Sequence, residues 1–146
     1  MDRVSLSKEH AELDALAVRL LAEVDAKAPG ETLSALRWRL NHVLMVHLAK
    51  EDKVLYPRLL AKPETRALAQ RFASEMGDLA KVYLGYASKW TIERIQADWQ
   101  GFGEETREVM AALRRRILRE ERDLYPRITE TATYTATSAS MAPCKM

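Results

Sequence analysis

Apolar positions recur every three to four residues through four stretches of the chain, the period of an amphipathic helix, and strict apolar–polar alternation is scarce. The first helix is expected over about 7–28, with Leu6, His10, Leu13, Ala17, Leu20 and Val24 on one stripe and Leu16 and Leu21 widening it. Pro29-Gly30 ends it, because proline cannot extend the hydrogen-bond ladder and glycine suits the C-terminal cap. A second helix is predicted over about 32–60, with Leu36, Leu40, Val43, His47, Val54 and Leu55 facing inward. Pro63 opens the third at the first-turn position that proline tolerates. Its stripe of Leu68, Phe72, Met76, Leu79 and Tyr83 fades near Trp90. The fourth begins between Ile95 and Gly103 and carries Val109, Met110, Leu113, Ile117 and Leu124.

The two halves repeat each other. His47-Leu-Ala-Lys-Glu51 leads to Leu55-Tyr56-Pro57-Arg58, and Arg116-Ile-Leu-Arg-Glu120 leads to Leu124-Tyr125-Pro126-Arg127 at a constant offset. Glu9-His10-Ala-Glu12-Leu13 is echoed more weakly by Glu75-Met76-Gly-Asp78-Leu79. Each half is thus a helical hairpin, and short links between four helices favour an all-α, up-down-up-down antiparallel four-helix bundle. The bundle is assigned to residues 1–128. Residues 129–146 are rich in threonine, alanine and serine without apolar period, and are read as a disordered tail.

Composition changes this picture little. Hydrophobic residues are 47% and charged residues 30% of 146, enough for one self-sufficient core. A net charge of +2 with mixed signs gives no mandate for nucleic acid, and the run Arg114-Arg115-Arg116 with Arg119 is offset by Glu120, Glu121 and Glu130. The single cysteine, Cys144, allows no internal disulfide, and no stretch has the length of a membrane span. A cytoplasmic protein without membrane or nucleic-acid partners is expected. Trp38, Trp90 and Trp99 are read as packing at helix ends, and Tyr56 and Tyr125 as anchors for the ends of the second and fourth helices.

Chemistry concentrates on the inward faces. His47 and Glu51 stand at i and i+4, on the face shared with Leu40, Val43 and Val54. Glu120 holds the matching position in the second half, and His10 lies on the core stripe of the first helix. A buried carboxylate must be paired, hydrogen-bonded or bound to metal. His10, His47, Glu51 and Glu120 therefore form a candidate ligand set of two nitrogens and two carboxylates, as bundles use for iron or manganese. For His10 the competing reading is a core histidine satisfied by Glu12, Asp14 or a carboxylate from another helix. His42, about 140° around the helix from His47, is placed at a flank or surface.

On Glu9-His10, on His47 through Pro57 and on Glu120 through Pro126, the chain resembles the hemerythrin-like (HHE cation-binding) family. That resemblance implies a helical bundle in which each half supplies one histidine and a His-x-x-x-Glu pair to a non-haem di-iron centre for oxygen, small ligands or iron sensing. This sequence departs from the pattern at Met76, which matches His10, and at Arg116, which matches His47. A thioether is too soft for ferric iron, and a guanidinium has no free acceptor.

Two functions follow. One is a degenerate metal site, holding a single or weakly bound iron, manganese or zinc, in a small-ligand or metal sensor. The other is a metal-free bundle acting as a protein-interaction or signalling module, through a protein partner or a homodimer. There Arg116 replaces the metal charge by pairing with Glu51 and Glu120, and Met76 fills the vacated space. An enzyme ranks third, since no nucleophile-base pair or phosphate loop can be read.

Overall fold

The Asp2 carboxylate accepts a hydrogen bond from the Ser5 amide at 2.8 Å and starts α1, Arg3–Val24, one turn before the apolar stripe alone suggested. The computed structural model describes residues 2–128, without the side chains of Met76 and Gly77; the predicted tail and the plug expected at Met76 lie outside the described residues. Helix α2 spans Leu33–Lys50 and runs through a π-helical turn, Glu51–Leu55, into the short α3, Tyr56–Leu60. Thr65 Oγ1 donates to the Leu59 carbonyl at 2.6 Å and fixes the corner into α4, Pro63–Lys89.

The sequence pattern did not separate the next element, α5, Ile92–Ala97, from the long helix after it. The Thr91 hydroxyl caps α5 by accepting from the Arg94 amide, and the Asp98 carboxylate caps α6, Trp99–Arg119, by accepting from the Gly101 amide at 2.9 Å. A Cβ on Gly101 would lie 2.3 Å from Asp98 Oδ2, so a larger residue there would displace the capping carboxylate. A second π-helical turn, Glu120–Leu124, and one 3-10 turn, Tyr125–Arg127, follow α6.

The two π-helical turns fall at the same place in the sequence repeat, and proline explains them. Pro57 and Pro126 have no amide hydrogen, and their rings clash with the carbonyl four residues back in a regular helix. The chain widens before each: the Tyr56 amide bonds the Glu51 carbonyl and the Tyr125 amide bonds the Glu120 carbonyl, five residues back in both cases. In a regular helix, residues five apart are about 140° apart around the axis. The wider turn brings each tyrosine to the face of its glutamate.

Helix α1 packs on α2 and α6, α4 packs on α6, and α3 packs on α4, giving the up-down-up-down bundle. Arg37 Nη2 donates to the Trp90 carbonyl at 2.6 Å, and Tyr83 donates to Asn41, tying α2 to α4. Among the described residues there is no strand, and no helix is long and apolar enough to cross a membrane.

Two apolar clusters fill the bundle. The larger includes Leu13, Leu20, Leu40, Leu44, Tyr86, Phe102, Met110 and Leu113; the smaller comprises Leu6, Leu55, Tyr56, Leu59, Ala69, Phe72, Leu124, Tyr125 and Ile128. Along α1, His10 separates Leu6 of one cluster from Leu13 of the other. Along α2, His47 separates Leu44 from Leu55, and along α6, Arg116 and Glu120 separate Leu113 from Leu124. A polar layer crosses the core between the clusters. Trp38 departs from its expected packing role: it is 66% exposed and stacks on exposed His42 at 5.5 Å, because its position on α2 faces away from the bundle. Trp90 is buried, and Trp99 packs on Phe102.

Candidate metal centre

His10 on α1, His47 on α2, and Glu51 and Glu120 at the starts of the two π-helical turns all project into the polar layer. Each is at most 2% exposed, and one donor atom from each lies within 4.8 Å of the other three. His10 Nε2 is 2.9 Å from Glu120 Oε1, and His47 Nε2 is 3.2 Å from Glu51 Oε2. A single ion holding its ligands at about 2.1 Å separates opposite donors by about 4.2 Å, so the cluster has the dimensions of a one-ion site.

Both imidazoles are aimed from outside the cluster. His10 Nδ1 is 2.7 Å from Glu121 Oε2, and Ser7 Oγ donates to the other oxygen of that carboxylate at 3.0 Å. His47 Nδ1 is 2.8 Å from Glu9 Oε1, and Lys50 holds Glu9 from the far side. A carboxylate beside Nδ1 keeps a proton on that nitrogen, so the neutral ring presents the lone pair of Nε2 inward. The glutamate before His10 and the glutamate after Glu120 therefore orient the opposite histidines. The sequence offered both as neighbours of ligands, but only the folded helices show which ring each holds.

The charges are unequally stabilised. Burial and the neighbouring Glu51 push the Glu120 carboxyl well above its usual range, which favours its protonated form beside Glu51 and His10 Nε2. Burial also opposes the charge on Glu51, but His47 and the Tyr125 hydroxyl hold its carboxyl below the usual range. Burial lowers His10 below the ordinary imidazole range despite Glu121 and Glu51. His47 is also disfavoured as a cation by burial, yet Glu51 outweighs this and raises it.

Two tyrosines complete the layer, and the sequence reading assigned them only to helix ends. Tyr56 donates to Glu120 Oε2 at 3.1 Å, and Tyr125 donates to Glu51 Oε2 at 2.6 Å. Each half of the repeat thus bonds the glutamate of the other half. Burial, reinforced by Glu51 and Glu120, raises both phenols above their usual range. The signal that could have found them was the proline after each tyrosine, had its widened turn been inferred.

Arg116 is buried and takes up only part of the pairing expected of it. Nη1 donates to Glu75 Oε1 at 2.7 Å, Nη2 donates to the Phe72 carbonyl, and the guanidinium lies over the Phe72 ring at 5.0 Å. Its nearest approach to the cluster is Nε to Glu120 Oε2 at 3.8 Å, with no contact to Glu51. The reason is the repeat itself. Glu75 occupies the position of Glu9, so it faces residue 116 as Glu9 faces His47, and Arg119 adds a second cation to it at 2.6 Å. Slight burial opposes ionisation of Glu75, but Arg119 and Arg116 hold its carboxyl below the usual range. The pairing of Arg116 with Glu51 and Glu120 is therefore corrected: only the longer ion pair with Glu120 forms, and the hydrogen bonds of Arg116 go to α4.

The donor set fits a cation by its own chemistry. Glu51 Oε1 is fully buried without a hydrogen-bond partner among the described residues, an acceptor facing no donor. The family model for the hemerythrin HHE cation-binding domain matches residues 3–128. The chain belongs to the hemerythrin family. No curated protein and no solved structure matches it. Within this hemerythrin domain the one cluster of cation-ligand type found among the described residues is His10, His47, Glu51 and Glu120. A cavity of about 10 Å³ adjoins it, lined by His10, His47, Glu120 and Arg116 and by the apolar Leu13, Leu44, Leu79 and Leu113.

Proposed function

We propose that this hemerythrin domain binds one iron ion through His10, His47, Glu51 and Glu120 and serves as a small-ligand or iron sensor without turnover. The observation that carries the reading is convergence: four donor atoms within 4.8 Å, with both Nε2 atoms aimed inward by Glu9 and Glu121 and Glu51 Oε1 left without a donor. Two nitrogens and two carboxylates suit iron, manganese or zinc, and the match to the hemerythrin domain favours iron among them. Bound there, iron supplies a Lewis-acidic, redox-active centre with coordination positions left for a small ligand.

The residues divide the work. His10 and His47 bind through Nε2, while Glu121 and Glu9 orient them and take up the positive charge shared into the rings. Glu51 and Glu120 neutralise the cation. The adjoining cavity of about 10 Å³ is close to the size that holds one water, which supports a small ligand beside the site. Arg116, held by Glu75, closes the side on which the resemblance places a second ion. The signal leaves through a protein partner or a second copy of the chain; the exposed stack of Trp38 on His42, with half-exposed Val46 on the same helix, supports such a contact.

Metal analysis of protein purified after growth with iron tests the reading. About one iron per chain is expected, falling by at least tenfold in His47→Ala and in Glu51→Ala with the helical content kept. Iron-free protein whose melting temperature does not move on anaerobic addition of ferrous iron overturns it and favours the metal-free module.

A further inference from the structure

Tyr125 stands apart from its repeat partner. The Tyr56 hydroxyl reaches Glu120 alone among the four candidate ligands, whereas the Tyr125 hydroxyl lies 2.6 Å from Glu51 Oε2, 2.9 Å from His10 Nε2 and 3.2 Å from His47 Nε2. Its oxygen thus sits among three of the four donor atoms, at separations found between neighbouring ligands of one ion about 2.1 Å from each. The ring cannot easily swing away. It is fully buried and stacks on the His10 ring with centroids 4.6 Å apart and planes 6° apart, its hydroxyl 2.9 Å from His10 Nε2. The π-helical turn ending at Leu124 sets this orientation, since it brings Tyr125 onto the face of Glu120.

We propose that Tyr125 is a fifth ligand of this site, binding as a phenolate and making the site selective for ferric iron. The inference rests on the cluster holding an ion, the reading given above. On coordination the phenol O–H bond is replaced by an O–metal bond and the proton leaves to bulk water. The anionic ligands then number three, Glu51, Glu120 and Tyr125, and balance a trivalent cation, where the two carboxylates alone balance a divalent one. A hard phenolate oxygen suits ferric iron for the same reason that carboxylates do. In a core this poorly solvated, each unmatched charge is strongly disfavoured, so ligand charge selects oxidation state.

The test compares the full chain with Tyr125→Phe and Tyr56→Phe, each loaded with ferrous iron under anaerobic conditions and then oxidised, and each titrated separately with zinc. Phenylalanine keeps the ring that stacks on His10, and circular dichroism checks the fold. The parent is expected to show a visible phenolate-to-iron charge-transfer band with tyrosinate modes in its resonance Raman spectrum. Tyr125→Phe loses both, and its ferric affinity drops at least tenfold further than its zinc affinity. Ferric protein of full iron content without tyrosinate modes overturns the proposal while leaving the four-residue site standing. A band lost in Tyr56→Phe and kept in Tyr125→Phe overturns it equally. If neither iron nor zinc binds the parent, the underlying site falls together with this inference. If Tyr125→Phe fails to fold, the Tyr56→Phe spectrum decides: tyrosinate modes kept there support Tyr125 as the ligand, and modes lost there overturn it.

Discussion

Glu120 is the residue whose protonation has the plainest consequence. Buried beside Glu51, it keeps its proton in the metal-free fold to a pH at which the unfolded chain, with the ordinary value of 4.5, has lost it. Folding therefore binds a proton over that interval, and the stability this group contributes declines as pH rises from about 4.5 towards the raised folded value. Glu51, held low by its partners, works in the opposite sense and loses its contribution as pH falls. Glu120→Gln preserves a donor for His10 and an acceptor for Tyr56 without the charge. Metal-free Glu120→Gln is expected to gain at least about 1 kcal/mol over the parent at pH 8 relative to pH 5, measured by urea unfolding at both values. The same variant should bind iron at least tenfold more weakly. An unchanged difference between the two pH values would mean that Glu120 titrates normally.

At the scale of elements, the repeated Glu-to-Leu-Tyr-Pro run works through backbone geometry. Proline removes one amide, the chain widens, and a tyrosine reaches the opposite half's glutamate. Pro126→Ala lets the last turns of the fourth helix run on as a regular helix and rotates Tyr125 away from Glu51. The expected result is a melting temperature equal to or above that of the parent, with metal affinity about 10–100-fold lower, as when outer partners of a site are lost. Calorimetry and an iron titration read the two quantities separately. The repeat also makes a constructive prediction. Glu75 already stands before residue 116 as Glu9 stands before His47. Arg116→His combined with Met76→His should therefore raise iron content above that of the parent, and an unchanged content would mean that these positions do not face the centre.

For the whole molecule, the polar layer divides the core, and an ion bound there would close that division. Binding only to the folded state stabilises it by about 2.7 kcal/mol when free metal is 100 times Kd, enough to raise the melting temperature by several degrees. Uptake must also compete with protons: on Glu120, whose protonated form burial favours, and on His47, whose protonation burial opposes but Glu51 favours more strongly. Iron affinity should accordingly fall as pH is lowered from 8 to 6, with protons released into weakly buffered solution on binding. Affinity that is flat across that range would contradict the protonation states assigned to both groups.

The linear pattern carried the architecture. A period of 3.6 residues, proline and glycine at the breaks and the duplicated Glu-to-Leu-Tyr-Pro run define four helices in two hairpins, because burial of one face determines a helix locally. It also carried His10, His47, Glu51 and Glu120, since a histidine or carboxylate on an apolar stripe has to point inward. It did not carry what lies across the bundle. Arg116 lies beside Glu120 along its own helix, yet it pairs with Glu75 because α4 brings a carboxylate closer and with better geometry. Glu9 and Glu121 hold histidines of opposite helices, and Tyr125 reaches three of the four candidate ligands only through a turn widened by the proline after it. Helical spacing fixes which residues share a face. Which side chains meet between faces depends on helix rotation and side-chain reach, and those are set only when the helices pack.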